Sequence, residues 1–389
     1  MPRTDRVQQQ VSILGCRGVP AAHGGFETFA EQLSLYLAAR GWDISVYCQD
    51  EAAPGRSISE DRWRGIRRIH IGSRDGGSLG SIGFDCRSMV HACQRPGILL
   101  VLGYNTGFLS LLPRIIGKPT IINMDGIEWK RSKWSPIVKL WFWLNEHIAA
   151  FAGSVLIADH PEIAAHLAGR SHAGKIATIP YGSEPVEGAS TEPLSVHGLA
   201  PDGYALTVCR VEPENSVLEI VRAFGMASVQ GRRLVVVGAL DPGNAYHAAV
   251  RAAAGSNVVF PGSIYDRAVM DSLRVHARAY CHGHTVGGTN PSLVEALAVG
   301  SAVIAHDNRF NRWTAGRDQF YFADVDTCAA VFNRAFADDA LIAQARAAAR
   351  ARFEAAFTLQ PNLRLYEELI AEVQHHQGRA VASPRLTQP

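Results

Sequence analysis

A chain of 389 residues, 47% of them hydrophobic, has material for two domains of common size and a substantial core. Its formal net charge of +2 argues against bulk nucleic-acid binding, and the absence of any run of about 18 apolar residues argues against a membrane-spanning helix. Seven cysteines without a C-x-x-C pair point to reduced thiols rather than a zinc site or a disulfide framework.

Met1 to Gln10 is polar and has no apolar h-region, so the expectation is no signal peptide and a cytoplasmic chain. Val11 to Leu14 is a short apolar strand, followed by a glycine loop through Gly24 and Gly25. A helix then takes over with Phe29, Leu33, Tyr36 and Leu37 on one face and stops at Gly41. Strand, loop and helix make the first unit of a doubly wound fold. The loop lacks G-x-G-x-x-G spacing, which weakens a dinucleotide reading, but Gly24-Gly25 at a helix start allows close approach of a phosphate.

Ile44 to Tyr47 is the next strand. Arg56 to Arg68 reads as a loop with a short edge strand, and Gly72 to Gly83 as a mobile loop. Ile98 to Leu102 is a buried strand, with Gly103 to Gly107 as the turn at its C-terminal end. Thr120 to Met124 leads to Asp125, where a carboxylate at a strand end is placed to bind a substrate hydroxyl or act as a base. Capping the next segment is an equal reading for it. Four of the seven tryptophans follow within a short span, Trp129, Trp134, Trp141 and Trp143, mixed with Lys130, Arg131, Lys133 and Lys139. Basic residues beside aromatics suit a segment lying on an anionic bilayer; a core helix with a solvated basic end is the plainer alternative.

Ser154 to Ala158 and Lys175 to Ile179 close the first half. Ser183 to Ala200, rich in Glu, Pro, Ser and Gly, reads as a linker. The alternation then restarts: strands at Tyr204 to Cys209, Arg233 to Val237, Asn257 to Phe260, Ala279 to Cys281, Ala302 to Ala305 and Gln319 to Phe322. Helices occupy Val217 to Phe224, Arg267 to Ala277 and the Ala-rich run from about Cys328 to Ala355. The expected organisation is an α/β chain with domains at 1–182 and 201–360, a linker at 183–200, a helix at 361–374 packing back on the first domain, and a disordered tail at 375–389.

The most informative stretch is Gly287-Gly288-Thr289-Asn290-Pro291-Ser292-Leu293-Val294-Glu295. Two glycines precede a helix start, Ser292 can cap it with Glu295 as reciprocal partner, and the helix dipole with its N–H groups attracts a phosphate. Glu295, one turn in, is placed for sugar hydroxyls. An ordinary capped turn is the simpler alternative. His284, just upstream, is either a sugar or phosphate contact or a loop histidine bonded to backbone.

Four ordered blocks together resemble a known family: Gly24 to Thr28, Asn123 to Arg131, Arg210-Val211-Glu212-Pro213-Glu214-Asn215, and Gly287 to Glu295. They are similar to the retaining glycosyltransferases of family four, of the two-domain GT-B fold, and within them to the bacterial rhamnosyltransferase-like branch with a DUF1972-type N-terminal domain. The resemblance implies two Rossmann-like domains facing each other across a cleft. It implies a hexosyl transfer from a nucleotide-sugar, L-rhamnose from dTDP-rhamnose being the suggested donor, to a lipid-linked or polysaccharide acceptor. No metal or cofactor and no nucleic acid are implied, and the chain is expected to work peripherally on the inner face of the plasma membrane. Donor contacts are implied for Gly24, Gly25, Arg210, Asn215, Gly288, Thr289, Asn290, Ser292, Leu293 and Glu295. Asp125 and His284 are the implied catalytic pair, with Trp129, Lys130, Arg131, Trp134, Trp141 and Trp143 toward membrane or acceptor. Two positions depart from the pattern. Gly287 stands where the first glutamate of a Glu-x7-Glu motif would fall, and Asn215 where a second basic residue would; Arg17 and Arg309 are candidate substitutes. The rival readings are a nonhydrolysing nucleotide-sugar epimerase, a binding protein without turnover and, least supported, a nicotinamide dehydrogenase.

Overall fold

The computed structural model describes residues 9–22, 24–52, 57–73 and 77–376. Among these residues the chain forms two sheets, one of eight strands and one of six. These described residues divide into two compact units, one made of those up to Ile179 with those from Pro361 on, the other of Pro180–Gln360.

The first unit runs β1 (Gln10–Leu14), α1 (Gly25–Ala38), β2 (Asp43–Asp50), β3 (Ile58–Trp63), β4 (Ile66–Gly72), α2 (Gly77–Cys93), β5 (Ile98–Leu102), α3 (Leu111–Ile115), β6 (Thr120–Asn123), α4 (Pro136–Ala152), β7 (Val155–Ala158), α5 (Pro161–Ala168) and β8 (Ile176–Thr178). The strand order is β3-β4-β2-β1-β5-β6-β7-β8. All pairs are parallel except β3 with β4. The central strands are apolar on both faces, Ile98, Leu99 and Leu100 being fully covered, because helices cover both sides of a parallel sheet.

Two expectations fail here. Residues 58–72 form a hairpin, turned by Arg64 and Gly65 at positive φ, rather than a loop with one edge strand. Residues 77–83, read as loop, open the helix α2. Its glycines and serines are weak helix formers, but Phe84, Ser88, Met89 and Ala92 recur at helical spacing and are buried, so packing on the sheet decides.

The second unit contains α6 (Glu192–Val196), β9 (Tyr204–Val208), α7 (Val217–Met226), β10 (Arg233–Val237), α8 (Ala245–Ala253), β11 (Val258–Gly262), α9 (Arg267–Val275), β12 (Ala279–His282), α10 (Pro291–Ala298), β13 (Ala302–His306), α11 (Arg309–Ala315), β14 (Phe320–Phe322), α12 (Val325–Ala337) and α13 (Asp339–Ala356). Its sheet is parallel throughout in the order β11-β10-β9-β12-β13-β14. Residues 183–200 are more structured than a linker. Ser183 N–H donates to Phe357 O at 2.9 Å, and α6 seats Leu194 in a core cluster with Leu206 and Phe353.

α14 (Leu359–His375) carries the chain from the second unit into the first. Within the first unit Asn123 Nδ2 donates to Tyr366 OH at 3.0 Å, Trp42 Nε1 donates to Glu367 at 3.1 Å, and Tyr366 packs on Phe29. Residues 377–389 of the expected tail lie outside the described residues. The seven cysteines are free thiols.

Candidate functional site

In each sheet the strand order reverses once, between β1 and β5 in the first unit and between β9 and β12 in the second. Loops leaving the carboxyl ends of strands diverge at such a point and open a crevice, which is where ligands of open α/β sheets collect.

In the second unit the β9 loop carries Arg210 and the β12 loop runs from Gly283 to Asn290. Arg210 is two-thirds exposed, with only a long 3.8 Å approach to Glu212 Oε1. Asn215 is buried, and its Nδ2 donates to Arg210 O at 2.7 Å. Its side chain therefore shapes the Arg210 turn instead of reaching into the crevice. The β12 loop is pinned on two sides. Thr285 donates from N and Oγ1 to Glu214 O, at 2.9 and 3.0 Å. Asn308 and Asn311 each donate to His284 O at 2.9 Å. Gly283 is required, since a Cβ there would lie 2.2 Å from Asn215 O.

The start of α10 corrects the expected cap. Asn290, not Ser292, is the N-cap: its Oδ1 accepts from Ser292 N at 3.0 Å and Ser292 Oγ at 2.8 Å, with Pro291 as the first helical residue. Leu293 N is also engaged, by Asn290 O at 3.1 Å. Two of the amides expected to face a phosphate thus serve the turn itself. Leu293 and Thr289 are buried. Glu295 is half-buried and ion-paired through Oε2 with Arg274 Nη2 on α9, so its carboxylate is held in one orientation. Nothing in the spacing of α9 signals that pairing.

His282 and His284 stack, ring centroids 4.2 Å apart and planes 7° apart. His282 is 1% exposed, neither ring nitrogen has a partner, and burial followed by the neighbouring His284 holds its pKa well below the usual imidazole value. It is a neutral ring supporting His284, a role the sequence reading missed. Gly287 lies at φ +137° in open space; its backbone disfavours a side chain, and no carboxylate stands in that place.

In the first unit Gly24 caps α1 at φ 89°, and Gly24 and Gly25 are exposed. Glu27 Oε1 accepts from Arg17 N at 2.9 Å and so ties the first turn of α1 to the turn after β1. Asp125 sits at φ 50°, an unusual conformation for aspartate, with its N–H donating to Asn123 Oδ1 at 3.1 Å. Such strain at a strand end collects at working sites. Arg309 lies on α11 in the second unit, its guanidinium over Phe310.

The aromatic-basic span splits in two. Trp129 Nε1 donates to Glu146 at 3.0 Å, Trp134 Nε1 to Glu128 at 3.4 Å, and Arg131 pairs with Glu128 at 2.6 Å. These three are turned into the fold. Burial raises the Glu146 pKa, but His166 at 2.9 Å, Arg170 and Trp129 outweigh it and leave the carboxyl below its ordinary value. Lys130 is exposed, its ammonium 5.4 Å from the Trp129 ring. Trp141 donates to Asn105 O at 2.9 Å, yet Trp141 and Trp143 stay about 40% exposed beside Ile137 at 82%, Leu140 at 56% and Leu144 at 44%. On α3, Ile115 is 81% exposed. The apolar surface is therefore the outer side of α4, with α3 packed beside it.

Among the described residues no group of three or more His, Cys, Asp or Glu side chains is placed to hold a metal ion. No helix among the described residues is long and apolar enough to cross a membrane.

Residues 8–184 match a family model described as a domain of unknown function, DUF1972. A comparison with curated protein sequences returns no match. Solved structures match over nearly the whole chain. Sucrose-phosphate synthase from Thermosynechococcus elongatus aligns at TM-score 0.78 and 19% identity, covering 93% of this chain and 99% of that one. Anabaena HepE in complex with UDP-glucose aligns at 0.73 and 15%, covering 93% and 99%. Trehalose 6-phosphate synthase from Burkholderia multivorans aligns at 0.72 and 12%, covering 95% and 97%. The chain has the GT-B fold of these glycosyltransferases.

Proposed function

We propose that the protein is a glycosyltransferase that moves a hexose from a nucleoside-diphosphate sugar to a hydroxyl of a glycan or lipid-linked acceptor. The observation that carries this reading is the second unit's switch point. It places an exposed, turn-fixed Arg210 after β9 and a capped helix start with an oriented Glu295 after β12, on a fold shared with UDP-glucose-bound HepE. A cation and a helix N-terminus offset the charge of a diphosphate leaving group, so the reaction is read as metal-independent. Glu295, steadied by Arg274, is the ribose or sugar contact. His284, backed by neutral His282, faces the transferring region, and Asp125 orients the acceptor. Since no carboxylate stands at Gly287, a front-face, retaining transfer is the mechanism that fits, with the diphosphate accepting the acceptor's proton. The four sequence blocks favour membership of family four and rhamnose from a dTDP donor.

The exposed side of α4, with Lys133 and Lys139 on the same segment and Arg114 against Phe151, supports peripheral attachment to an anionic membrane. A cytoplasmic enzyme extending a lipid-linked polysaccharide accommodates both features. The missing carboxylate at Gly287 favours a second reading, nucleotide-sugar binding without turnover.

The experiment is a panel of nucleotide-sugars incubated with the purified protein, with and without chelator and with a polyprenyl-linked acceptor, read by release of nucleoside diphosphate. Chelator-resistant release from one donor is expected. Binding without release, acceptor present, would establish the second reading instead.

A further inference from the structure

Glu295 meets its ligand with one of its two oxygens already engaged. Met270 and Leu273 of α9 share a core with Leu293, Val294 and Leu297 of α10, and that packing brings Arg274 beside Glu295. The Arg274 side chain is 11% exposed and that of Glu295 40%, so the cation is covered while the carboxylate stays open to a ligand. The contact between them is end-on. Arg274 Nη2 donates to Glu295 Oε2, and Arg274 Nε is buried without a hydrogen-bond partner. A side-on fork would set Nε and Nη2 on the two carboxylate oxygens in parallel. Here Oε1 accepts no hydrogen bond among the described residues.

The two acceptor oxygens are therefore unequal. Oε1 keeps its full strength for a ligand hydroxyl. Oε2 is bonded to a covered cation and is the poorer acceptor, and the same bond fixes the plane of the carboxylate. A ribose presents two vicinal hydroxyls, which a free carboxylate takes with both oxygens; a 2′-deoxyribose presents one. A 2′-hydroxyl brought against this pair gives up water without gaining an equal partner, and a polar group left short of a partner costs binding. One available oxygen matches one hydroxyl.

We propose that the Arg274–Glu295 pair selects a 2′-deoxyribonucleoside diphosphate over its ribose counterpart, Arg274 being the residue that determines the choice. The inference rests on reading the second unit as the donor site, and not on transfer itself. The sequence blocks that suggest a thymidine donor do not include Arg274, so the structural ground is separate. The test is calorimetric titration of the full chain with two matched pairs, dTDP against ribothymidine 5′-diphosphate and dUDP against UDP. The base is constant within each pair, so the ratio of dissociation constants reads the 2′-hydroxyl alone. The deoxy member should bind about fivefold tighter or more in both pairs. Arg274→Met, which removes the cation and frees Oε2, should bring the ratio near unity, and Arg274→Lys should keep the preference. A merely structural role for Arg274 would lower all the affinities together and leave the ratio in place. Equal or tighter binding of the ribose members by the wild-type chain overturns the proposal, and that comparison stands even if Arg274→Met does not fold. A preference that persists in folded Arg274→Met overturns it too. Loss of the donor reading looks different: none of the diphosphates binds.

Discussion

The two switch points share a topology and differ in charge. In the second unit the strand ends carry Arg210, the start of α10 and Glu295 paired with Arg274. In the first, Asp85, Ser88 and Thr106 line the hollow at the strand ends, and no Lys or Arg is among its lining residues. The same divergence of loops sets a cation beside one crevice and a carboxylate with hydroxyls beside the other. Topology thus places a ligand, and the few side chains at the strand ends choose its charge.

The sharpest way to test the comparison is through the backbone that shapes each crevice. Gly15→Ala forces a Cβ against Leu102 O at positive φ, and should cost about 3 kcal/mol or more in denaturant unfolding. Gly287→Ala meets only strain, with open space around it, and should cost about 1–2 kcal/mol. Equal costs would mean that the first crevice is no more tightly built than the second.

Arg210→Ala should weaken nucleotide-sugar binding more than tenfold, about 1.4 kcal/mol or more. Wild-type donor affinity in that variant would remove Arg210 from the site. Added salt should likewise weaken donor binding.

Asp85→Asn should stabilise the fold at pH 8. The native carboxyl, raised from 3.8 to about 6 by burial despite the Thr106 bond, holds its proton more tightly than the unfolded chain does. Stability is therefore full below pH 3.8 and declines as pH rises through about 6. The variant should gain about 1 kcal/mol above pH 7, and the gain should vanish near pH 4. A pH-independent difference between the two melting curves would mean that Asp85 ionises normally.

The smallest expected effect concerns the surface of α4. Replacing Trp141 and Trp143 by Ser should reduce sedimentation with anionic vesicles severalfold, whereas Trp129→Phe, which breaks the bond to Glu146, should lower stability without changing sedimentation. Unchanged sedimentation for the double variant, with the fold intact, would assign α4 to another partner.

Much of this molecule was legible from residue order. The two strand-and-helix alternations, the restart at Tyr204, the loops that carry Gly24, Arg210 and Gly287, and Asp125 at a strand end all follow from local signals: period, glycines and polar residues after apolar runs. Arg210 is conspicuous because it directly follows a buried strand. The roles of Asn215, Ser292 and Trp129 were misread because each is a polar group whose partner lies elsewhere: Asn215 on the Arg210 carbonyl, Ser292 on Asn290, Trp129 on Glu146.

The sequence by itself determines the α/β class, because alternating periodicities write which faces must be buried, and it marks where backbone leaves the sheets, because glycine tolerates conformations other residues avoid. Only the tertiary structure decides that the Gly- and Ser-rich segment after residue 76 is a helix, since its stability comes from Phe84 and Met89 packing on the sheet rather than from propensity. It alone brings Asp85 and Ser88 to the end of β1, some seventy residues away in the chain. Burial and charge pairing are properties of neighbours in space, and no local pattern records them.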